Sequence, residues 1–157
     1  MGLQISEIIT KKEIQFSDLK GKLIAVDAFN AIYQFLTTIR QPDGTPLKDS
    51  HGNVTSHLSG LFYRNLNLIQ EGVKLIYVFD GEAPELKNKT REMRMEAKDE
   101  ARQKYKEAME REDIEAMGKY AKSDVHLDEK KIAESKELLK AMGIAVVQAP
   151  GEGEAQA

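Results

Sequence analysis

Three short apolar runs divide the chain, and each is closed by polar or turn-forming residues. The runs cover residues 23–26, 73–79 and 144–148, and they are followed closely by Asp27, Asp80 and Pro150. Apolar runs of about four to eight residues with such boundaries are typical of strands buried in a parallel sheet. The pattern therefore predicts three strands at these positions.

The stretches between the runs favour helices. Residues 28–39 are long and apolar enough for a mostly buried helix, and residues 40–53, with two Pro and two Gly, form a loop. A second helix is expected from Thr55 or Ser56, and a third from Asp128. Their expected inner faces comprise Leu58, Leu61, Phe62, Leu66 and Ile69, and Ile132, Leu138, Leu139 and Met142. The order of elements predicts an α/β fold with a mainly parallel central sheet flanked by helices.

Composition narrows the chemistry that this fold can carry. The chain has 157 residues, of which 41% are hydrophobic, and it contains no cysteine. That length suits one domain, or one domain and part of another. Disulfides and thiolate metal sites are excluded, and the three histidines show no ligand spacing. A bound metal would therefore be held by oxygen, which favours Mg²⁺, Mn²⁺ or Ca²⁺. No signal peptide or membrane-spanning run is visible in the sequence.

Four acids follow the predicted strands, namely Asp27, Asp80, Glu152 and Glu154. Because parallel strands end at one edge of the sheet, where open α/β sheets bind ligands, we expect these carboxylates to converge. Two unit charges 4 Å apart repel by about 4 kcal/mol at an effective dielectric near 20. Protonation could relieve that repulsion, but four acids favour divalent cations, and paired cations serve phosphodiester hydrolysis. Taken singly, each acid could instead be a turn residue, a helix cap or a polar helix start.

A basic segment separates the second and third strands. Between residues 87 and 106, Lys and Arg outnumber Asp and Glu by eight to four. On a helix, one stripe would comprise Lys87, Arg91, Arg94, Lys98, Arg102 and Lys106. Like charges at these spacings are mildly unfavourable, which indicates a phosphate backbone as the compensating partner. A solvated helix without a partner remains the alternative, and the net charge of −3 does not favour nucleic acid.

Four longer stretches resemble one known family. They are V-D-A-F-N-A-I-Y-Q-F-L-T-T-I-R at 26–40, T-S-H-L-S-G-L-F-Y-R at 55–64, Y-V-F-D-G-E-A-P-E-L-K at 77–87 and M-G-I-A-V-V-Q-A-P-G-E-G-E-A-Q-A at 142–157. The chain resembles the flap endonucleases, structure-specific 5′ nucleases of DNA replication and repair, and most closely their archaeal members. The resemblance implies Mg²⁺-dependent cleavage of a phosphodiester near the base of a 5′ flap, with 5′–3′ exonuclease activity, two metal ions in the complete site and Mn²⁺ as a possible substitute.

The resemblance also implies roles for individual residues. The four strand-end acids, Asp27, Asp80, Glu152 and Glu154, match metal-binding acids of the family. Lys87 and Arg94 match basic residues that assist at the scissile phosphate, at the foot of a helical arch. Tyr33 matches an aromatic that stacks on a base; as a residue of an apolar helix, it could instead be an ordinary core tyrosine. The expected DNA-contacting set comprises Gly2, Tyr33, Arg40, Arg64, Arg91, Lys98, Arg102 and Glu152.

Family members continue well beyond 157 residues, so the resemblance implies a C-terminally incomplete nuclease. Residues 1–98 would form the N-terminal nuclease region with the start of the arch, 99–125 the rest of the arch, and 126–157 the start of the internal nuclease region. We expect this form to bind metal weakly and to cleave poorly on its own, and we expect self-association or a complementing C-terminal half. In the family a C-terminal tail binds the sliding clamp, and the implied location is the cytoplasm at the archaeal nucleoid, not the exterior or a membrane.

Two other functions stay open at this point. The chain could be a DNA-binding fragment that no longer hydrolyses its substrate. It could also be a small PIN-type metal-dependent ribonuclease, although the long arch and the 5′-nuclease motifs favour the flap endonucleases. Gly151 departs from the serine that is usual in the family's A-P-S-E-G-E-A motif, and serine is the better helix cap.

Overall fold

The structure is a computed structural model of the chain. It describes residues 12–81, 100, 103–111, 113, 116, 119–120, 127–151 and 153. After a 3-10 turn at Phe16–Leu19, the strands are β1 (Leu23–Asp27), β2 (Lys74–Phe79) and β3 (Ala145–Gln148), and the helices are α1 (Ala28–Thr38), α2 (Ser56–Gln70) and α3 (Glu129–Ala141).

The three strands form one parallel sheet in the order β1-β2-β3. Leu23 is paired with Lys74, and Ile76 is paired with Ala145. β2 has neighbours on both sides, which explains why Tyr77, Val78 and Phe79 are at most 2% exposed. The α/β fold with a parallel sheet is therefore confirmed, as are the three strand positions.

One apolar core joins β2 to all three helices. Its buried members are Ala28, Ile32, Phe35, Leu36, Leu61, Val73, Leu75, Tyr77, Phe79, Leu139 and Ile144. The expected inner face of α3 is confirmed, since Leu139 is fully buried and Ile132, Leu138 and Met142 pack against the core. Asp128 caps this helix as expected, accepting a hydrogen bond from the Lys131 backbone N–H at 2.8 Å.

The expected inner face of α2 is wrong. Of its five members only Leu61 is fully buried, whereas Phe62 and Ile69 are 40% and 41% exposed. The helix instead turns a mostly polar side inward, comprising Ser56, His57, Gly60, Leu61 and Asn65. A Cβ at Gly60 would lie 2.3 Å from the Phe35 ring, so this glycine lets α1 and α2 approach closely. Close packing at a small residue has overridden the apolar pattern.

The buried polar residues of α2 explain how this side can face inward. The Tyr77 hydroxyl donates to Asn65 Oδ1 at 2.8 Å. Ser56 Oγ accepts from the Leu47 backbone N–H at 2.9 Å, so it fastens the preceding loop and does not cap the helix. Thr55 occupies the N-cap position, but its side chain makes no capping hydrogen bond. Such pairing lowers the cost of burying the Ser56 hydroxyl and the Asn65 oxygen, whereas Asn65 Nδ2 and both ring nitrogens of His57 are buried without a hydrogen bond from the described residues.

The remaining segments broadly match what the sequence predicted. The loop at 40–53 contains the antiparallel bridge Arg40–Pro46, and a second bridge joins Lys48 to Val54. Residues 103–110, which include the end of the basic segment, are helical, while most of 85–122 lies outside the described residues. The domain boundaries stay a prediction. In the described part of the chain, no helix is long and apolar enough to cross a membrane.

Candidate metal centre

Asp27 and Asp80 lie at the same edge of the sheet. Asp27 is the last residue of β1 and is paired with Val78 of β2. Asp80 comes directly after β2, two residues beyond Val78. Because the two strands are parallel neighbours, both acids stand at their carboxyl ends, which is the edge where such sheets bind ligands.

Asp27 is held by the helix that follows it. Its Oδ1 accepts a hydrogen bond from the Asn30 backbone N–H at 3.0 Å, so Asp27 is the N-cap of α1. The helix-cap reading is therefore correct for one carboxylate oxygen. No described residue donates a hydrogen bond to the other oxygen, Oδ2. The cap therefore fixes the side chain through Oδ1 alone.

Asp80 is held by a segment far away in sequence. Its Oδ1 accepts from the Gly153 backbone N–H at 2.6 Å. A Cβ at position 153 would lie 2.6 Å from the same oxygen, so only glycine allows this approach. Oδ2 of Asp80 likewise receives no hydrogen bond from the described residues.

The segment 148–153 also binds the backbone at the end of β2. Ala149 N–H donates to the Phe79 carbonyl at 2.8 Å, and Gly81 N–H donates to the Gly151 carbonyl at 2.6 Å. The side chain of Gln148 adds a third contact, with Nε2 at 2.6 Å from the Asp80 carbonyl oxygen. Residues 79–81 and the segment 148–153 therefore form one hydrogen-bonded unit around Asp80.

The two described acids are only part of the expected set. Glu152 and Glu154, on either side of Gly153, lie outside the described residues. Within the described ranges, no group of three or more His, Cys, Asp or Glu side chains could hold a metal ion. What the structure places at one edge of the sheet is two carboxylates, each with one oxygen that accepts no hydrogen bond from the described residues. Hard oxygen donors of this kind fit Mg²⁺ or Mn²⁺.

Tyr33 lies on α1, six residues after Asp27, and its side chain is not in the core. The residue is 42% exposed, so its reading as an ordinary core tyrosine is wrong. A rise of 1.5 Å per residue puts it roughly 9 Å along the helix from Asp27. The ring is thus accessible on the helix that starts at the candidate site.

The two arginines of the expected DNA-contacting set differ in their surroundings. Arg40 is half-buried; its Nε donates to the Leu36 carbonyl at 3.0 Å and its guanidinium to the Gly44 carbonyl at 2.7 Å. It therefore joins the end of α1 to the following loop. Arg64 is exposed on α2. The DNA contacts expected of both residues stay predictions.

Several expected site residues lie outside the described residues. They are Gly2, Lys87, Arg91, Arg94, Lys98, Arg102, Glu152 and Glu154. Lys106, the last member of the basic stripe, is exposed in the described helical stretch. Sequence reasoning missed Gln148, Gly81 and Gly153. A polar residue closing an apolar strand, directly before the A-P-G-E-G-E motif, was the available signal for Gln148.

Comparison with known proteins identifies similar sequences. A family model for the XPG N-terminal domain matches residues 2–101. Flap endonuclease 1 of Pyrococcus furiosus is 59% identical over 157 residues, which is all of this chain and 46% of that protein. Flap endonuclease 1 of Thermococcus onnurineus is 56% identical over the same span. The chain thus spans about half the length of the curated relatives it matches.

Solved structures show the same similarity. Flap endonuclease-1 from Methanococcus jannaschii has 49% sequence identity and a TM-score of 0.69, covering 99% of this chain and 50% of that one. The catalytic core of Rad2, solved in complex with a DNA substrate, has 30% identity and a TM-score of 0.60, covering 92% of this chain and 35% of that one. This chain is similar to both in fold.

Proposed function

This chain belongs to the flap endonuclease family, and on that premise we propose that it acts in metal-dependent cleavage of DNA phosphodiesters near the base of 5′ flaps. The observation that carries the proposal is the placement of Asp27 and Asp80. Two carboxylates from neighbouring parallel strands stand at one sheet edge, and each keeps an oxygen that no described residue occupies. Such a pair is suited to a hard divalent cation.

The residues that would hold Mg²⁺ are Asp27 and Asp80, with Glu152 and Glu154 as further proposed ligands. When bound, the metal supplies Lewis-acid chemistry, by activating water and stabilising charge on the phosphate oxygens. The protein's own part is to fix the ligands. The α1 cap orients Asp27, and the Gly153 N–H orients Asp80. Fixed carboxylates need less reorganisation when the phosphate is bound.

DNA would be engaged beside this edge. We propose that Tyr33 stacks on a base next to the cleaved bond, because it is exposed on the helix that Asp27 caps. Stacking of this kind contributes about 1–3 kcal/mol per base. Arg64, exposed on α2, would bind a phosphate, and Arg40 would act both there and on the loop it already joins to α1. Lys87 and Arg94 would assist at the scissile phosphate.

Other partners are part of the proposal. The relatives are about twice as long as this chain, so a sliding-clamp contact through a C-terminal tail belongs to the whole protein. A complementing C-terminal half or self-association would cover the apolar side chains exposed on α2, such as Phe62 and Ile69. A role in replication and repair would require the protein to meet chromosomal DNA, which supports a proposed location inside the cell.

Cleavage of a labelled 5′-flap DNA tests the function. The purified chain is incubated with Mg²⁺ alone and together with the separately expressed C-terminal half of the Pyrococcus furiosus relative. We expect cleavage near the flap base, weak or absent for the chain alone and stronger in the mixture. Asp80→Asn should abolish it in both cases, because it removes a metal-binding charge.

The control is Glu137→Gln, which removes one acid from the exposed side of α3 and should leave cleavage unchanged. If neither the chain alone nor the mixture shows cleavage that depends on Asp80, the proposal is wrong. DNA binding without such cleavage would identify a binding fragment. Preferential cleavage of single-stranded RNA would instead favour the PIN-type ribonuclease.

A further inference from the structure

We infer that Gln148 is a positioning residue for Asp80: its side-chain amide holds the end of β2 so that the Asp80 carboxylate faces the candidate metal site. The inference rests on the proposed function in so far as Asp80 binds metal. Gln148 carries no charge, and its amide nitrogen contacts backbone oxygens and not the Asp80 carboxylate. Its effect would pass through the backbone of residues 79 and 80.

The amide nitrogen of Gln148 bridges two carbonyl groups where the β2–β3 ladder ends. Nε2 lies 2.6 Å from the Asp80 oxygen and 3.3 Å from the Phe79 oxygen. Phe79 is paired with Gln148 in the sheet, so these contacts continue the attachment of the strand by one residue beyond regular pairing. The β3 side chain thereby holds both peptides that flank Asp80: Phe79–Asp80 through the Phe79 oxygen and Asp80–Gly81 through the Asp80 oxygen.

Lys136 determines which way the Gln148 amide points. Its Nζ donates to Gln148 Oε1 at 2.8 Å. An ammonium group can only donate, so the amide oxygen must face Lys136, and the NH₂ group must face the two carbonyls. Lys136 Nζ also lies 4.8 Å from the centre of the Phe79 ring, which favours this position of the cation. A chain of contacts thus runs from α3 through Gln148 to the end of β2.

Three contacts together restrict Asp80. Gln148 holds its carbonyl group, the Gly81 N–H of that same peptide donates to the Gly151 carbonyl at 2.6 Å, and Gly153 N–H holds Oδ1. Gln148 is the one of these three that uses a side chain, so it can be removed without changing the backbone. Residues that orient a metal ligand commonly change metal affinity by 10- to 100-fold when they are replaced.

The position of Gln148 separates this role from general stability. The residue is exposed at the end of β3 and is outside the apolar core. Its replacement should lower Tm by only about 2–4 °C, the shift expected for one exposed hydrogen-bonding side chain in a domain of this size. A larger effect on the Asp80 site than on the whole fold is therefore the sign of positioning.

Two measurements on the whole chain test the inference. The first is the hydrogen-exchange protection of the Gly153 amide without metal, because that amide binds Asp80 Oδ1. The second is Mn²⁺ affinity, measured as free Mn²⁺ by electron paramagnetic resonance. Gln148→Leu should lower both by on the order of tenfold. Lys136→Met should also lower both the Gly153 protection and the Mn²⁺ affinity. Lys136→Arg should retain most of both values because arginine can still donate to Oε1.

The matched control is Gln70→Leu, at the exposed end of α2, which should change neither measurement. Unchanged Gly153 protection in Gln148→Leu overturns the inference, and so does a loss no larger than the loss at the β1 amides. If the unmodified chain shows no Mn²⁺ binding that Asp80→Asn removes, the proposed function fails. The Gly153 exchange then still decides whether Gln148 positions Asp80.

Discussion

The two described acids of the candidate site are held in opposite ways. Asp27 is bonded three residues away, to the N–H of Asn30 at the start of α1. Asp80 is bonded to residues about seventy positions later, through its carboxylate to Gly153 and through its carbonyl to Gln148. The position of Asp27 therefore depends on a single helix, and that of Asp80 depends on correct pairing of β2 with β3.

This difference predicts different sensitivities. A local cap forms whenever α1 forms, so the Asp27 end should tolerate changes elsewhere in the sheet. The Asp80 end exists only when the segment 148–153 packs against residues 79–81. Disturbing that segment should release Asp80 before it affects Asp27.

Gly81→Ala should have the largest effect. A Cβ there would lie 2.3 Å from the Ala149 carbonyl oxygen and 2.7 Å from that of Pro150, and backbone atoms cannot easily move away. We expect a loss of about 2–3 kcal/mol in the free energy of unfolding, measured by denaturant titration. Gly151→Ala is the matched control, because a Cβ at that position meets no atom within 4 Å. Equal stability of the two variants would refute the close packing of Gly81 against residues 149 and 150.

Gly153→Ala should act on metal binding more than on stability. Its Cβ would lie 2.6 Å from Asp80 Oδ1, which is a side-chain atom that can swing away. The carboxylate would then lose its fixed orientation, and Mn²⁺ affinity should fall on the order of tenfold. The check is a Mn²⁺ titration followed by magnetic resonance. Unchanged affinity would mean that the Gly153 contact does not position Asp80.

Substitutions at Asp27 separate its two roles. Asp27→Ala removes the cap and should cost about 1 kcal/mol of stability. Asp27→Asn keeps a capping oxygen, so its stability should stay near that of the unmodified chain while Mn²⁺ binding is lost. Thermal unfolding and Mn²⁺ titration of both variants provide the measurement. A loss of stability in Asp27→Asn as large as in Asp27→Ala would contradict the assigned cap.

Acidification should have the smallest effect on the free energy of unfolding. That effect arises at His57, away from Asp27 and Asp80. His57 is fully buried between α2 and α3, and burial lowers the pKa of its imidazole, although Glu134 at 3.4 Å opposes this. Glu134 raises the pKa chiefly through its charge and less through its side-chain contact with Nε2. Because the unfolded state takes up the proton more readily, stability is complete above pH 6.5 and falls as the pH decreases from there towards the lower folded pKa.

Between pH 7 and pH 6 the loss should stay below about 1 kcal/mol, since less than one proton is involved. Denaturant titrations at several pH values measure it. Replacing His57 with Gln should flatten the profile in this range, whereas His51→Gln, in an exposed loop, should not. A profile that His57→Gln leaves unchanged would show that other groups cause it.

The sequence predicted those features that depend on local rules. Apolar runs located the strands, Asp128 was correctly expected to cap α3, and the acids at the ends of β1 and β2 followed from parallel topology. The predicted inner face of α2 was wrong because the close approach of Gly60 to Phe35 turns Ser56 and Asn65 inward and leaves Phe62 and Ile69 partly exposed. Apolar periodicity does not register small residues that permit close contact.

The environment of Asp80 could not be predicted from local rules. Its partners, Gln148 and Gly153, become neighbours only after β3 pairs with β2. Their residue types are ambiguous in the sequence, because a glutamine at a strand end and a glycine between two glutamates have many uses. Only the register of the sheet gives them a specific role.

The most direct test of the central claim is Mn²⁺ affinity in Asp27→Asn, Asp80→Asn and the double variant. If both carboxylates hold one cation site, each single substitution should weaken binding nearly as much as the double substitution does. If instead the two losses simply add, or if Asp27→Asn leaves the binding that depends on Asp80 unchanged, the two acids do not share a metal.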